Sequence, residues 1–171
     1  KILITGILSN RSIAYGIAKA CVREGASVAF TYVNEDLRDR VAKVAAEFGS
    51  CPVLPCDVTR DDDIDALFAS LGREWGGLDG MLHSIAYAPR EALSGDYLDS
   101  ISRTAFATAH DISSYSFAAL AKGARPLLRG RPASLLTLTY LGAQRALPSY
   151  NVMGLAKASL EANVRYLAAC L

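Results

Sequence analysis

The chain has 171 residues, of which 51% are hydrophobic and 20% charged, and its formal net charge is +1 at pH 7. These proportions are typical of an ordinary globular protein with a sizeable core, and they argue against a disordered chain. No basic stripe indicates a nucleic-acid surface, and no apolar run reaches the roughly twenty residues that a membrane span needs. Because no signal peptide is visible, the sequence predicts a cytoplasmic protein without nucleic-acid or membrane partners.

Apolar periodicity alternates between strand-like and helix-like segments along the chain. It predicts strands near residues 1–5, 27–33, 51–56, 79–84 and 133–139, and helices near residues 12–24, 35–48, 61–75, 103–129 and 149–171. Such alternation gives right-handed crossovers and a parallel sheet. The predicted fold class is therefore α/β: a doubly wound, Rossmann-like parallel sheet in three α/β/α layers, forming a single domain over residues 1–171.

The first strand, KILIT, is followed by Gly6 and by a helix that opens near Ser12. A strand, a glycine turn and a helix amino terminus can bind an anion, because free backbone N–H groups and the helix dipole face the turn. The common Gly-x-Gly-x-x-Gly form is absent, and a plain strand-to-helix turn is the alternative interpretation.

Cysteine and histidine usage indicates no metal site. The cysteines lack metal-ligand or Cys-x-x-Cys spacing, and each falls in a predicted helix or strand, so we expect reduced, buried thiols at Cys21, Cys51, Cys56 and Cys170. Lone histidines in apolar segments are usually hydrogen-bonded core residues, which is our expectation for His83 and His110.

The last predicted strand, ASLLTLT, leads into the segment that carries Tyr140, Tyr150 and Lys157. We place Tyr140 at the carboxyl end of the strand, the edge where open α/β sheets bind ligands. Ser149 stands at the expected cap position, which puts Tyr150 in the first helical turn and Lys157 about two turns later on the same face. A nearby ammonium favours ionisation of a phenol and eases proton donation. A packed ring and a solvated lysine are the alternative for such a pair.

The segment LLTLTYLGAQRALPSYNVMGLAKASLEANVRY resembles the NADH-dependent enoyl-acyl-carrier-protein reductases of bacteria, a divergent branch of the short-chain dehydrogenase/reductases. Their pattern is Tyr, nine residues, Tyr, six residues, Lys. Ordinary short-chain dehydrogenases place three residues between Tyr and Lys, but Gly154 stands four positions after Tyr150 here. The loop from Gly6 to Ser12, Ile13 and Ala14 also looks like that of the reductases.

The resemblance implies NADH-dependent reduction of the trans-2 double bond of enoyl thioesters in the last step of fatty-acid elongation. It implies catalytic roles for Tyr140, Tyr150 and Lys157, and an acyl substrate flanked by Ala88, Tyr140 and Tyr150. Tyr140 would either shape the acyl pocket or assist protonation. Lys157 would hold the nicotinamide ribose. The implied cofactor residues are Gly6, Ser12, Ile13, Val33, Asp57, Val58, Ser84, Ile85, Ala86 and Lys157.

Three of these positions leave questions open. The second predicted strand ends at Val33 with neither a carboxylate for the adenosine ribose nor a cation for a 2′-phosphate directly there. The nearest cation is Arg38, one helical turn further on, so we favour NADH over NADPH. Asp57 would hold the adenine amine in the family, but it is also a candidate cap for the following helix. The family usually has Gly at the position of Ala86, where an extra methyl should be tolerable.

The resemblance also implies partners: thioesters on an acyl carrier protein, and a homotetramer built on the long helix around His110. It covers essentially the whole chain but only part of the family's fold, which continues with further strands. We therefore expect that this sequence is a shortened form of a longer protein, and that the last strands of the family's fold are missing from the shortened form. Two alternatives stay open, namely an ordinary short-chain alcohol or carbonyl dehydrogenase and a non-catalytic dinucleotide-binding fragment.

Overall fold

The computed structural model describes residues 1–171. The chain forms two compact units. Unit 1 comprises Lys1–Ser84 and Lys122–Thr137, and unit 2 comprises Ile85–Ala121 and Leu138–Leu171. The single domain expected over residues 1–171 stays a prediction beside this division.

Unit 1 contains a five-stranded sheet in which every neighbouring pair is parallel. Its strands are β1 (Ile2–Ile4), β2 (Val28–Tyr32), β3 (Val53–Pro55), β4 (Gly80–His83) and β5 (Ser134–Thr137), in the order β3-β2-β1-β4-β5. All five residues of β2 are buried, which is typical of a parallel strand covered on both faces. The order is that of a doubly wound, Rossmann-like sheet, so the predicted fold class is confirmed.

Helices flank this sheet along the chain of unit 1. They are α1 (Ile13–Arg23), α2 (Glu35–Ala45) and α3 (Asp61–Trp75), and a 3-10 turn at Ala46–Phe48 replaces the last turn predicted for α2. Asn34 caps α2 by accepting a hydrogen bond from Leu37 N, and Gly76 ends α3 in the left-handed conformation. The core of this unit contains large, fully buried side chains such as Phe30, Leu67 and Met81.

Unit 2 is helical. It contains a 3-10 turn at Arg90–Leu93, then α4 (Tyr97–Ser100), α5 (Arg103–His110), a 3-10 turn at Leu141–Ala143 and α7 (Asn151–Cys170). Helix α6 (Ser116–Leu128) begins in this unit. A cluster of small and apolar side chains forms the core, namely Ala88, Ala92, Ala105, Ala109, Val152, Met153 and Ala156.

The helix predicted near residues 103–129 is confirmed, since helical backbone runs from Arg103 to Leu128, with a π-helical segment at Asp111–Tyr115 between α5 and α6. Two buried serines in this segment bond outside their own helix. Ser113 Oγ donates to Tyr87 O at 3.0 Å and accepts from Tyr87 N at 2.9 Å, and Ser114 Oγ lies 2.7 Å from Ser159 Oγ. A π-bulge widens the helix locally, and such bulges occur often at functional sites.

The expectation of buried thiols is wrong for three of the four cysteines, and only Cys21 and Cys170 lie in the regular elements expected for them. Only Cys56 is buried, Cys21 and Cys51 are half-buried, and Cys170 is exposed. Cys51 and Cys56 flank the short strand β3 rather than lie in it, since that strand covers only Val53–Pro55. All four are free thiols.

The two histidines are hydrogen-bonded, as expected. His83 is fully buried, with Nδ1 2.8 Å from Thr137 Oγ1. His110 Nδ1 lies 2.9 Å from Phe106 O, and the two rings stack with centroids 3.9 Å apart, although this histidine is only half-buried. None of the helices combines the length and the apolar character that crossing a membrane requires.

Candidate active site

The carboxyl ends of β1 and β4 meet at Gly6 and Ser84 in unit 1. Gly6 has a positive φ of 77°, and a Cβ at this position would lie 1.9 Å from Ser84 O, so only glycine fits. Thr5 Oγ1 donates to Leu82 O at 3.0 Å and accepts from Ser84 N at 3.3 Å, which joins the two strand ends. The chain order reverses between β1 and β4, and ligands of open α/β sheets bind at such a switch point.

The loop after Gly6 is organised by the hydroxyl of Ser12. Ser12 Oγ donates to Ser9 O at 2.6 Å and accepts from Leu8 N and Ser9 N at 3.1 and 3.0 Å. It makes no bond into α1, which begins at Ile13, so this hydroxyl closes the loop rather than capping the helix. The first N–H groups of an α-helix lack partners within it and, with the helix dipole, favour an anion. The predicted pyrophosphate site at this loop therefore stays a prediction that the helix start is able to accommodate.

The ends of β2 and β3 carry Val33, Asp57 and Val58. Val33 is exposed and Val58 is buried. Asp57 Oδ1 accepts hydrogen bonds from Thr59 N at 3.0 Å and Thr59 Oγ1 at 2.8 Å. The residue at the cap position of α3 is Arg60, so the alternative role of Asp57 as a helix cap is wrong. Its second carboxylate oxygen leaves capacity for a ligand.

Helix α7 in unit 2 begins at Asn151, two residues later than predicted, so Ser149 is not its cap. Tyr150 stands at the cap position with φ −113° and ψ −30°, outside the first turn, and its neighbours Ser149 and Asn151 have positive φ values of 58° and 36°. Asn151 Nδ2 donates to Ser100 Oγ at 2.9 Å and to Gly95 O at 3.3 Å, which holds this backbone in place. Left-handed backbone at two non-glycine residues costs free energy and often marks functional sites.

The rings of Tyr140 and Tyr150 contact each other edge to face, with centroids 5.0 Å apart and an interplanar angle of 61°. Tyr140 is exposed and follows the end of β5 by three residues, so it does not belong to the strand itself. Burial raises the pKa of the Tyr150 phenol and Tyr140 raises it further, so the expected lowering by an ammonium is not found. Tyr150 therefore keeps its proton at neutral pH and can donate a hydrogen bond.

Lys157 is a buried cation with a single protein acceptor. Only 5% of this residue is exposed, and Nζ donates to Leu138 O at 2.7 Å. Burial lowers the pKa of its ammonium group. An ammonium has three donors, so two of them stay available for a ligand with hydroxyl groups.

The family model described as "Enoyl-(Acyl carrier protein) reductase" matches residues 6–171 of this chain. The chain belongs to this reductase family. It is 64% identical to the enoyl-[acyl-carrier-protein] reductase [NADH] FabI of Neisseria meningitidis over the whole chain and 66% of that relative. It is 59% identical to the FabI of Escherichia coli, over 98% of this chain and 64% of that protein.

Two solved structures of family members have closely similar folds. The enoyl-[acyl-carrier-protein] reductase (NADH) of Aquifex aeolicus matches with a TM-score of 0.96 and 52% identity, over 98% of this chain and 66% of that one. The reductase of Anaplasma phagocytophilum, solved in complex with NAD, matches with a TM-score of 0.96 and 43% identity, over 99% and 64%. The chain thus spans just under two thirds of the length of the relatives it matches.

The residues predicted to bind ligands fall in both units of this reductase-family chain. Gly6, Ser12, Ile13, Val33, Asp57, Val58 and Ser84 lie in unit 1, whereas Ile85, Ala86, Ala88, Tyr140, Tyr150 and Lys157 lie in unit 2. A cavity of about 450 Å³ lies beside Tyr150 in unit 2, between residues 142–147 and the first half of α7. Ala88 packs in the core of unit 2 and does not line this cavity. The ligand roles of all these residues stay predictions.

Sequence reasoning missed several residues that shape the site, among them Thr5, Ser113, Gly142 and Asn151. Thr5 joins two strand ends, and a small polar residue at the end of an apolar run is a weak signal for that role. Asn151 tolerates the left-handed region better than most residues, which is a signal for an irregular helix start. No local pattern indicated Ser113, because its partner Tyr87 is distant in sequence.

Proposed function

We propose that the protein is an NADH-dependent enoyl-acyl-carrier-protein reductase that reduces the trans-2 double bond of enoyl thioesters. The observation that carries this proposal is the site in unit 2, where a protonated Tyr150 phenol contacts Tyr140 and a buried Lys157 ammonium keeps two donors available. Family membership supports it, because the relatives are named NADH-dependent reductases of this kind.

The residues of unit 1 fit a dinucleotide. The loop closed by Ser12 and the start of α1 at Ile13 suit a pyrophosphate, and Gly6 lets this loop leave β1 in close contact with the backbone of Ser84. Asp57 and Val58 would hold the adenine, Val33 would face the adenosine ribose, and Ser84, Ile85 and Ala86 would face the nicotinamide ribose. NADH supplies a hydride when bound.

Tyr150 would act on the substrate oxygen. As a hydride is added to the β-carbon of the enoyl thioester, the electron pair of the double bond moves toward the carbonyl and leaves negative charge on its oxygen. A hydrogen bond from the Tyr150 phenol stabilises this enolate, and such electrostatic stabilisation is commonly the largest contribution to catalysis. Protonation of the α-carbon completes the saturated thioester. Tyr140 would shape the acyl pocket or assist this protonation.

Lys157 would hold the cofactor. Its two available donors match the hydroxyl groups of the nicotinamide ribose, and its charge adds positive potential near the enolate. The pKa of this ammonium is lowered by burial, so ribose hydroxyls would replace hydrogen bonds that burial removes.

The rival activity, an ordinary short-chain dehydrogenase, needs a lysine four residues after the tyrosine. Gly154 stands there, and a Cβ at this position would lie 2.7 Å from Gly142 O, so a lysine would force the backbone apart. This contact argues against the rival. The proposal extends to substrates carried on acyl carrier protein, a homotetrameric assembly and a cytoplasmic location.

The test is the loss of NADH absorbance in the natural-length protein with a crotonyl thioester, beside reactions with NADPH and with secondary alcohols plus NAD. We expect turnover with NADH and the enoyl thioester. Oxidation of secondary alcohols without enoyl reduction would favour the rival dehydrogenase, and NADH binding without either reaction would favour a binding module.

A further inference from the structure

Gly142 lies directly under the ring of Tyr150. A Cβ on Gly142 would approach Tyr150 Cδ1 to 2.2 Å and Cε1 to 2.5 Å, distances that real side chains do not adopt. Gly142 does not have a positive φ, so its backbone conformation is open to any residue. The aromatic ring, and not the backbone, therefore requires glycine here.

Gly154 makes a second contact of the same kind, one turn along α7 from Tyr150. Its Cβ would lie 2.7 Å from Gly142 O and 3.7 Å from Tyr150 Cδ1. This glycine also lacks a positive φ. Since the carbonyl belongs to the backbone of the 3-10 turn Leu141–Ala143, a side chain at position 154 would push that turn and α7 apart.

The two contacts share Gly142, so together they determine where the Tyr150 ring lies. Gly154 lets α7 approach the turn, and Gly142 lets the turn approach the ring that α7 carries at its amino end. Tyr140 immediately precedes this turn and contacts the same ring. The position of the Tyr150 ring is thus fixed by direct contact with backbone atoms, which cannot move aside as a flexible side chain could. In contrast, Ser149 and Asn151 leave the backbone on both sides of Tyr150 in a strained conformation that does not fix the ring by itself.

We propose that Gly142 and Gly154 are positioning residues that aim the Tyr150 phenol at the carbonyl oxygen of the thioester. This inference rests on the proposed function. Any side chain at either position moves the phenol, either by turning the ring or by displacing the start of α7. A misplacement of about 1 Å can reduce a rate on the order of 10²-fold, so the effect should appear in kcat.

The experiment compares Gly142→Ala and Gly154→Ala with Gly72→Ala in the natural-length protein. Gly72 is a matched control because it lies within α3, where the nearest atom to an added Cβ is Leu127 Cδ2 at an ordinary 3.4 Å. We measure kcat with a crotonyl thioester, NADH affinity by fluorescence, and the melting temperature. We expect kcat to fall on the order of 10²-fold in the first two variants, with NADH affinity little changed, and to be preserved in Gly72→Ala.

A double-mutant cycle separates positioning of Tyr150 from general damage. If Gly142 acts through the phenol, adding Gly142→Ala to Tyr150→Phe costs little more, because the hydrogen bond is already absent. An undiminished loss of kcat in the Tyr150→Phe background, or wild-type kcat in both glycine variants, overturns the inference. If Gly142→Ala does not fold, Gly154→Ala carries the same cycle.

A crystal structure of the folded glycine variant makes the test independent of activity. A displaced Tyr150 ring or a shifted start of α7 is expected, and an unmoved phenol overturns the inference. Absence of turnover in the wild-type protein would instead refute the proposed function, while the ring position would still test the packing.

Discussion

At the scale of single residues, the phenol of Tyr150 has the environment of a hydrogen-bond donor. Burial and Tyr140 raise the pKa of Tyr150, so its proton is retained over the neutral range. We expect Tyr150→Phe to lower kcat on the order of 10²- to 10³-fold, the usual loss for one donor to a developing oxyanion. NADH affinity should change little, because the phenol faces the substrate oxygen in the proposed site.

The control for this variant is Tyr166→Phe, which removes the hydroxyl of a tyrosine that is 77% exposed on the same helix. Steady-state kinetics and NADH titration of both variants form the measurement. Weaker NADH binding by Tyr150→Phe with unchanged kcat would reverse the roles proposed for Tyr150 and Lys157.

The cysteines differ in reactivity because they differ in burial. Burial raises the pKa of Cys56 to about 12, with further contributions from Asp63 and Asp57, and Cys170 is exposed. The thiolate is the nucleophile, so Cys56 should be alkylated most slowly and Cys170 first. Peptide mapping after timed treatment with iodoacetamide at mildly alkaline pH measures this order. In urea all four should react alike, and rapid labelling of Cys56 in the folded protein would contradict its burial.

At the scale of elements, the junction between β2 and α2 bears on the choice of cofactor. Arg38, the nearest cation to Val33, is paired with Glu35 at 3.4 Å, and Glu35 also accepts from Tyr32 at 3.1 Å. Glu35 and Asp36 place negative charge in the first turn of α2. A 2′-phosphate would meet an occupied guanidinium and two carboxylates, which supports the preference for NADH.

Glu35→Gln should therefore make NADPH a better cofactor. We expect the ratio of kcat/KM for NADPH over NADH to rise on the order of fivefold, because one charge contact near water is worth about 1 kcal/mol. Asp39→Asn, one turn further along α2, removes an exposed carboxylate and should leave the ratio unchanged. Equal NADPH/NADH ratios of kcat/KM in both variants would show that this junction does not discriminate between a 2′-hydroxyl and a 2′-phosphate.

The elements that sequence predicted well are those determined by local pattern. All five strands lie within two residues of their predicted ends, and α3 has its predicted bounds, because buried apolar runs and capped periodic helices are visible locally. The start of α7 also lies within two residues of its predicted position, but Ser149 does not cap it, because the backbone of Ser149 is left-handed. No sequence pattern singled out Gly142, and only the fold shows that a side chain there would meet the ring of Tyr150.

The π-helical segment links elements through Ser113, whose hydroxyl binds both the N–H and the carbonyl of Tyr87. Ser113→Ala would remove two part-buried hydrogen bonds, each worth about 0.5–1.5 kcal/mol, and should therefore lower the unfolding free energy by about 1–3 kcal/mol. Hydrogen exchange at the Tyr87 amide should accelerate. Ser114→Ala removes bonds to Ser159 and Asn163 instead, so it is the matched control and should leave Tyr87 protected. Equal exchange at the Tyr87 amide in both variants would contradict the role of Ser113 as the partner of the Tyr87 backbone.

At the scale of the whole molecule, the proposed activity needs residues from both compact units. A parallel sheet in unit 1 could be predicted from alternation alone, whereas its strand order, which brings the predicted dinucleotide residues of that unit to one edge, comes from the structure. The ammonium and the phenols lie in unit 2, where irregular turns and glycine contacts decide the geometry. The sequence therefore suggested candidate site residues, whose roles stay predictions, but it did not indicate their orientation.

Binding of NADH should stabilise the whole natural-length protein, and Lys157 should carry much of that effect. A ligand at a hundred times its Kd adds about 2.7 kcal/mol, which corresponds to a rise in melting temperature of roughly 5–10 °C for a protein of this class. Lys157→Ala removes the buried ammonium and should shrink this rise, whereas Lys43→Ala on the exposed face of α2 should preserve it.

The NADH-induced rise in melting temperature should depend on pH. Burial lowers the pKa of Lys157, so without ligand the folded protein binds this proton less tightly than the unfolded chain does. Between the lowered pKa and the ordinary lysine value, the unfolding free energy of the unliganded protein therefore increases with pH. NADH affinity should fall in this window, because neutral Lys157 loses its charge and a donor, so the NADH-induced rise in melting temperature should shrink. Thermal scans with and without NADH from neutral pH toward the ordinary lysine pKa measure both trends, and a Lys157→Ala protein that shows the same pH dependence would assign it to another group.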